Sequence, residues 1–346
     1  MVNQRPLSLA GLPQAELENI LSFLPRYRRT QIYKWITRGV SGFDQMTNLP
    51  NALREELKTR FSLYSSFVDS VHNDCDAKKT VIALFDALKI EAVLLNDEKK
   101  RYTACLSTQA GCPAGCVFCK TGSLGFTRNL SCEEIAEQFI FLRASVTEHI
   151  IDNIVIMGMG EPLLNLPNLR RAISVFTEKN GLNFSRRRIT VSTCGICGSL
   201  FDLAENGPFT RLALSLATAD EPLRQKLMPV TAANPLAKVK EALALFQKNS
   251  KERVTLETVL LGGINTREKD ALSIAHFAKG LDTVVNIIPW NPVAGLEFEG
   301  KPLREPEKKE TENFVRQLES LGLKTTMRRR KGLGVNGACG QLGSVG

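Results

Sequence analysis

Three cysteines, Cys112, Cys116 and Cys119, stand in GCPAGCVFCKTG with C-x3-C-x2-C spacing, directly after the apolar run TACLS (103–107). Thiolates gathered in this way bind soft metals. Structural zinc is one reading, but zinc normally takes four ligands in paired C-x2-C or Cys/His spacing, and the nearest histidine, His149, is far along the chain. Three ligands leave a vacancy. On an iron–sulfur cube, three cysteines hold three irons and expose the fourth, which can bind a small molecule directly. The chain has nine cysteines, an odd number. Without a secretory signal, such cysteines read as metal ligands or reactive thiols rather than as a disulfide scaffold.

Other residues could serve a cofactor. In MGMGEP (157–162), Gly158 and Gly160 would end a parallel strand and let a ligand approach the backbone, ahead of the carboxylate of Glu161. Ser192, Ser215 and Asn291 fall at the ends of later strand candidates, where on their own they read as caps (the serines) and a turn (Asn291). Cys105, seven residues before the triplet, and Cys339, in the C-terminal ACGQL, would each alone be an inert buried thiol. Cys194 and Cys197 form a C-x2-C without a partner pair, and the three histidines show no ligand spacing.

The elements that must position these residues follow from periodicity. Apolar residues at helical spacing mark segments near 14–24, 28–39 and 50–60, followed by a short β element, so residues 1–90 read as a small helical module. From there, β-branched runs at 89–95, 103–107, 153–158, 188–193, 211–216, 254–261, 284–289 and 324–328 alternate with helix-length segments, the pattern of a parallel sheet. Ser131-Cys132-Glu133-Glu134 matches a capping box. Periodicity alone leaves a barrel and a doubly wound sheet both open. The 346 residues, 43% hydrophobic and 23% charged, with a mean hydropathy of −0.10, exclude disordered and collagenous classes. Forty-five Lys and Arg against 36 Asp and Glu give a net charge of +9, which favours an anionic partner, nucleic acid first. The clusters Arg26, Arg28, Arg29, then Arg186–Arg188 and Arg328–Lys331, suit phosphate contacts or, equally, a solvated face. No run reaches the roughly 18 to 20 apolar residues of a membrane span, and the N-terminus lacks a signal-peptide layout, so no membrane association and a cytoplasmic location are expected.

The aromatic Phe118 before Cys119 completes a C-x3-C-x-aromatic-C pattern that resembles the signature of the radical S-adenosylmethionine (SAM) enzymes. Across almost the whole chain the resemblance narrows to the RlmN/Cfr family of RNA adenine methyltransferases, through ACLSTQAGC (104–112), GFTRNL (125–130), MGMGEPLLN (157–165), KLMP (226–229), IIPWNP (287–292), ACGQL (338–342) and, in the helical front, RRTQIYKWI and FDQMTNLP. It implies an α/β fold, a partial (βα)6-type radical SAM barrel over 91–330, a helical RNA-binding accessory domain over 1–90, and a mobile segment over 331–346. It implies a 4Fe-4S cluster on Cys112, Cys116 and Cys119. SAM would be held by Gly160, Glu161, Ser192, Ser215, Leu216, Ala217 and Asn291. Two SAM molecules are implied per turnover: one methylates Cys339, and a second, cleaved reductively, yields a radical that takes hydrogen from that methyl so that its carbon adds to the base. Radical chemistry is needed because an aromatic C–H carbon is a poor nucleophile. Cys105 would then assist proton removal and release the product through a transient disulfide with Cys339, and Glu91 would handle a proton, an exposed strand carboxylate being its alternative. The implied activity is methylation at adenine C2 in 23S rRNA, and also in tRNA, by a monomer served by a reductase or flavodoxin-type donor. Methylation at C8, as in the Cfr branch, is the alternative, and a non-catalytic RNA-binding iron–sulfur protein is a third. The chain departs from the family pattern at Ala217, where histidine is usual, at Trp290, where Phe or Tyr is common, and in GLGVNG before ACGQL.

Overall fold

The computed structural model describes residues 7–146 and 149–343, so the expectations for 1–6 and 344–346 lie outside the described residues. Helices α1 (Gln14–Ile20), α2 (Arg26–Arg38) and α3 (Asn51–Arg60) bury Leu17, Leu21, Ile32, Tyr33, Ile36 and Leu57 in a core of their own. Prolines 13, 25 and 50 directly precede the three helices, where a missing N–H costs nothing. Gly39 closes α2 in the left-handed conformation.

The chain then enters a ten-stranded sheet whose spatial order is its sequence order. The strands are β1 (Ser66–Asn73), β2 (Ala77–Leu84), β3 (Lys89–Asn96), β4 (Tyr102–Cys105), β5 (Ile151–Ile156), β6 (Ile189–Thr193), β7 (Arg211–Ser215), β8 (Val254–Leu260), β9 (Thr283–Pro289) and β10 (Thr325–Met327). Strands β1 to β4 pair antiparallel; from β4 to β10 every pairing is parallel. The order never reverses, so there is no switch point of a doubly wound sheet. It is an incomplete barrel, with seven parallel strands joined by six crossovers among the described residues.

Helices fill those crossovers: α4 (Cys132–Ala144), α5 (Leu166–Thr177), α6 (Cys197–Asn206), α7 (Glu221–Leu227), α8 (Leu236–Ser250), α9 (Glu268–Ala278) and α10 (Lys308–Ser320). Ser131 Oγ accepts from Glu134 N and the Glu134 carboxylate accepts from Ser131 N, so the capping box forms. Apolar residues of β2 to β9 and of every one of these helices but α7 make one contiguous core, while Leu227 of α7 packs in a smaller cluster with Cys194, Ala217 and Trp290. The β element expected before residue 90 is longer than its sequence suggests: two eight-residue strands extend the main sheet. Phe67, Val68 and Val71 of the edge strand are exposed, which blurs the alternation that would announce it.

Candidate functional site

Loops leaving the C-terminal ends of the parallel strands converge, as in barrels generally. They enclose a chamber of about 180 Å³ that Cys112, Cys116 and Cys119 line together. Local geometry forces the three thiols to converge. Gly115 takes a φ of 64°, Cys119 N donates to Cys116 O (3.1 Å), and Cys112 N donates to Gly125 O (2.7 Å). A side chain at Gly122 would meet Cys116 O at 2.8 Å. From outside, Val117 N donates to Leu227 O (3.0 Å) and Trp290 Nε1 donates to Phe118 O (2.9 Å). Burial pushes all three thiols up, Cys112 to about 12. Soft metal bound in place of the protons suits three such thiols, and no histidine lines the chamber. This donor set fits an iron–sulfur cluster better than a four-ligand zinc site.

Opposite the thiols stand Gly160, Glu161, Ser192, Ser215, Ala217 and Asn291, all lining the same chamber. Glu161 is clamped: Oε1 accepts from Thr193 Oγ1 (2.7 Å) and Leu163 N (3.0 Å), Oε2 from Cys194 N (2.8 Å), while its own N–H goes to Gln109 Oε1 (2.8 Å). Burial raises its pKa and these bonds oppose the rise. Ser192 and Ser215 face each other with their hydroxyls 3.2 Å apart. Asn291 donates Nδ2 to Cys339 O (2.9 Å), whereas its buried Oδ1 has no hydrogen-bond partner. Leu216 does not join them: its side chain is in the main core, and only its backbone takes part, N to Glu257 O (2.9 Å).

A second chamber, about 500 Å³, is lined by Cys105, Thr103, Lys99, Arg101, Arg328, Arg329, Arg330 and Lys331. The two chambers share Met157, Ile288, Asn291, Arg328 and Cys339. Cys339 therefore stands in the wall between the three-thiol chamber and a basic one, with Cys105 on the basic side. Burial pushes the Cys105 thiol up to about 12; charge on Cys339 adds to this and Arg328 opposes it. All nine cysteines are free thiols. The segment carrying Cys339 is docked on both sides. Upstream, Gly332 N and Gly334 N donate to Asp76 Oδ1 (2.9 Å) and Asp74 Oδ2 (3.0 Å) in the β1–β2 turn. Downstream, Gly340 O accepts from Lys120 N (2.8 Å) and Leu342 O from Thr121 Oγ1 (2.7 Å), beside the cysteine triplet.

Glu91 is not the exposed carboxylate of the alternative reading. It is 2% exposed, ion-paired with Lys79 Nζ (3.2 Å), and accepts from Gly343 N (2.7 Å), lining neither chamber. The basic runs divide. Arg186–Arg188 are exposed, whereas Arg29 is spent on Leu24 O and Ser22 O, and Arg28 on Asn48 O. Arg328 belongs to the inter-chamber wall rather than to a surface run. Sequence reasoning missed Gln109 and Thr193, which orient Glu161, and Arg224, which is fully buried behind the chamber. The signal for Arg224 was a charge between Leu223 and Leu227, on the apolar side of a helix.

Known proteins align with this arrangement. Residues 106–275 match the Radical SAM superfamily, and residues 7–63 match the ribosomal RNA large subunit methyltransferase N-terminal domain. The probable dual-specificity RNA methyltransferase RlmN of Treponema denticola is 46% identical over 98% of this chain and 96% of its own. The corresponding RlmN protein of Thermus thermophilus is 40% identical over 94% and 93%. A radical SAM methyltransferase from Sphaerobacter thermophilus has a crystal structure that superposes with a TM-score of 0.92 at 36% identity, covering 98% of this chain and 99% of that one. The family brings a 4Fe-4S cluster, SAM and an RNA substrate, and among the described residues no helix is long and apolar enough to cross a membrane. With the RlmN name rather than the Cfr one on these relatives, the chain belongs to the RlmN family of radical SAM RNA methyltransferases.

Proposed function

We propose that this enzyme methylates carbon 2 of adenine in 23S rRNA and in tRNA, using Cys339 as methyl carrier and two SAM molecules per turnover. The observation that carries the reading is the place of Cys339, which lines both the three-thiol chamber and the basic one. A sulfur there can take a methyl on one side and deliver it on the other. Cys112, Cys116 and Cys119 hold the cluster, which when bound supplies the electron that splits SAM homolytically. Gly160 and Glu161 receive the amino group of SAM, and the free Asn291 Oδ1 accepts a donor from it. Ser192 and Ser215 supply hydroxyls, and Leu216 and Ala217 supply backbone. A contact made by the main chain of Ala217, which lines the chamber, does not depend on the usual histidine side chain.

Cys105, on the basic side, works through its thiolate, the minor form that Arg328 favours: it takes the proton and, once that proton has passed on, attacks the sulfur of Cys339, so that the Cys339 S–C bond breaks with its electron pair on carbon, which is protonated to the methyl of the freed RNA, and a disulfide is left for an external thiol to reduce. Arg328 lies beside both cysteines and favours thiolate on Cys105. Glu91 handles a proton, and its bond to Gly343 N ties that role to the Cys339 segment. Residues 1–90 bind RNA, 91–330 form the radical core, and 331–346 carry the acceptor cysteine. The protein works as a cytoplasmic monomer with a one-electron donor of the flavodoxin type. Nucleoside mass spectrometry of rRNA and tRNA treated with reconstituted enzyme tests the reading. Appearance of 2-methyladenosine is expected; 8-methyladenosine moves the chain to C8 chemistry, and SAM cleavage absent altogether rejects catalysis.

A further inference from the structure

Arg224, in α7, is the largest fully buried side chain among the described residues and is 0% exposed. Its Nε donates to Leu216 O (3.1 Å), and Nη2 donates to Cys194 O (2.6 Å) and Ser215 O (3.4 Å). Its Nη1 has no hydrogen-bond partner. Two other buried charges, Lys79 and Glu134, are ion-paired, with Glu91 and Arg128. Arg224 makes no ion pair among the described residues. Glu221, one turn earlier on the same helix, spends its carboxylate on Leu236 N (3.1 and 3.3 Å) and acts only at longer range. A guanidinium cannot shed its proton, so a buried one without a carboxylate is costly unless another negative charge stands nearby.

Burial works against the charge on Arg224; among the groups around it Cys194, Glu221, Cys116 and Cys197 favour it, in that order, the cysteines only as thiolates. Cys116 is one of the three thiols of the cluster chamber, and Cys194 lines the same chamber. The chain also links helix and cluster loop directly, because Leu227 O at the end of α7 accepts from Val117 N, next to Cys116. Three thiolates on a [4Fe-4S]²⁺ core carry a net charge of −1, and one-electron reduction makes it −2. A fixed cation close by stabilises the second state more than the first.

We propose that Arg224 is a positioning residue with two separable jobs: its guanidinium fork joins the ends of β6 and β7 that present Ser192 and Ser215, and its unpaired charge makes the cluster easier to reduce. This rests on the iron–sulfur reading above. The electron comes from the external donor, no proton moves, and Arg224 stays charged throughout.

The test compares Arg224→Met, Arg224→Gln and Arg224→Lys in anaerobically reconstituted full-length protein. Iron and sulfide content is measured first, then the cluster midpoint potential without SAM, by mediated titration followed by electron paramagnetic resonance, then SAM affinity by calorimetry. Loss of charge in the Met variant shifts the potential to a more negative value, and Gln does the same should Met not fold. Lys keeps the potential close to that of the unmodified protein, while all three weaken SAM binding because the fork is gone. A Met or Gln variant with full cluster content and an unshifted potential overturns the proposal, as does an equal shift in Lys. Unmodified protein without a cubane signal instead overturns the cluster reading itself, so the two failures are distinct.

Discussion

Cys339 and Cys105 share one basic cavity but differ in what else they touch, and their variants should fail differently. Cys339→Ala is expected to abolish methyl transfer to protein and to RNA. Cys105→Ala should accumulate a covalent protein–RNA adduct, visible as a retarded band on denaturing gels; full turnover by either variant rejects the assignment. The buried Cys105 thiol, pushed up to about 12, is protonated at pH 8. Its alkylation by iodoacetamide should therefore rise about tenfold per pH unit from pH 8 to 10, as the thiolate fraction grows. Peptide mass mapping reads that rate, and a flat profile removes the buried-thiol account. Because the folded chain holds this proton more tightly than the unfolded one, the site's contribution to stability is intact below about 9 and drains as pH climbs towards about 12. From sequence, both cysteines were legible only through the motifs around them. Spacing could not bring Cys105 and Cys339 to one cavity, since docking of the chain's end on the β1–β2 turn does that.

The strand ends are where glycine matters most. Gly160 has a φ of 104°, and a Cβ there would lie 2.6 Å from the Gln109 side chain that accepts from Glu161 N. Gly160→Ala should weaken SAM binding at least tenfold in calorimetry while circular dichroism stays unchanged; unaltered affinity would show that Gln109 yields without cost. At the start of α4, Ser131→Ala removes the capping bond to Glu134 N and should cost about 1 kcal/mol in denaturant unfolding. All eight strand candidates from Lys89 onward appear in the sheet; most are buried parallel strands, which are written as continuous β-branched runs. Helix α6 was illegible: it opens on Cys197 and Gly198, poor helix formers that hide the apolar face of Leu200, Leu203 and Ala204. The edge strand β1 was blurred for the opposite reason, since its apolar side chains face water.

For the molecule as a whole, charge decides how RNA arrives. The basic chamber offers Lys99, Arg101 and Arg329 at its mouth, although Arg329 pairs with Glu98 and Arg101 with Asp97. Lys99→Ala should lower RNA affinity and reduce the slope of log K against log salt by roughly 0.7 for the lost contact with a single strand. Filter binding across salt concentrations checks it, and an unchanged slope takes Lys99 off the RNA path. Net charge alone could not tell a docking face from loop stapling: Arg28 and Arg29 look like phosphate ligands in sequence and hold backbone carbonyls in the fold. The partition made by Cys339 has a last implication. On the proposed function, nucleic acid and sulfonium would occupy separate rooms with one sulfur as the revolving door, so that no radical would have to cross open water to reach its base.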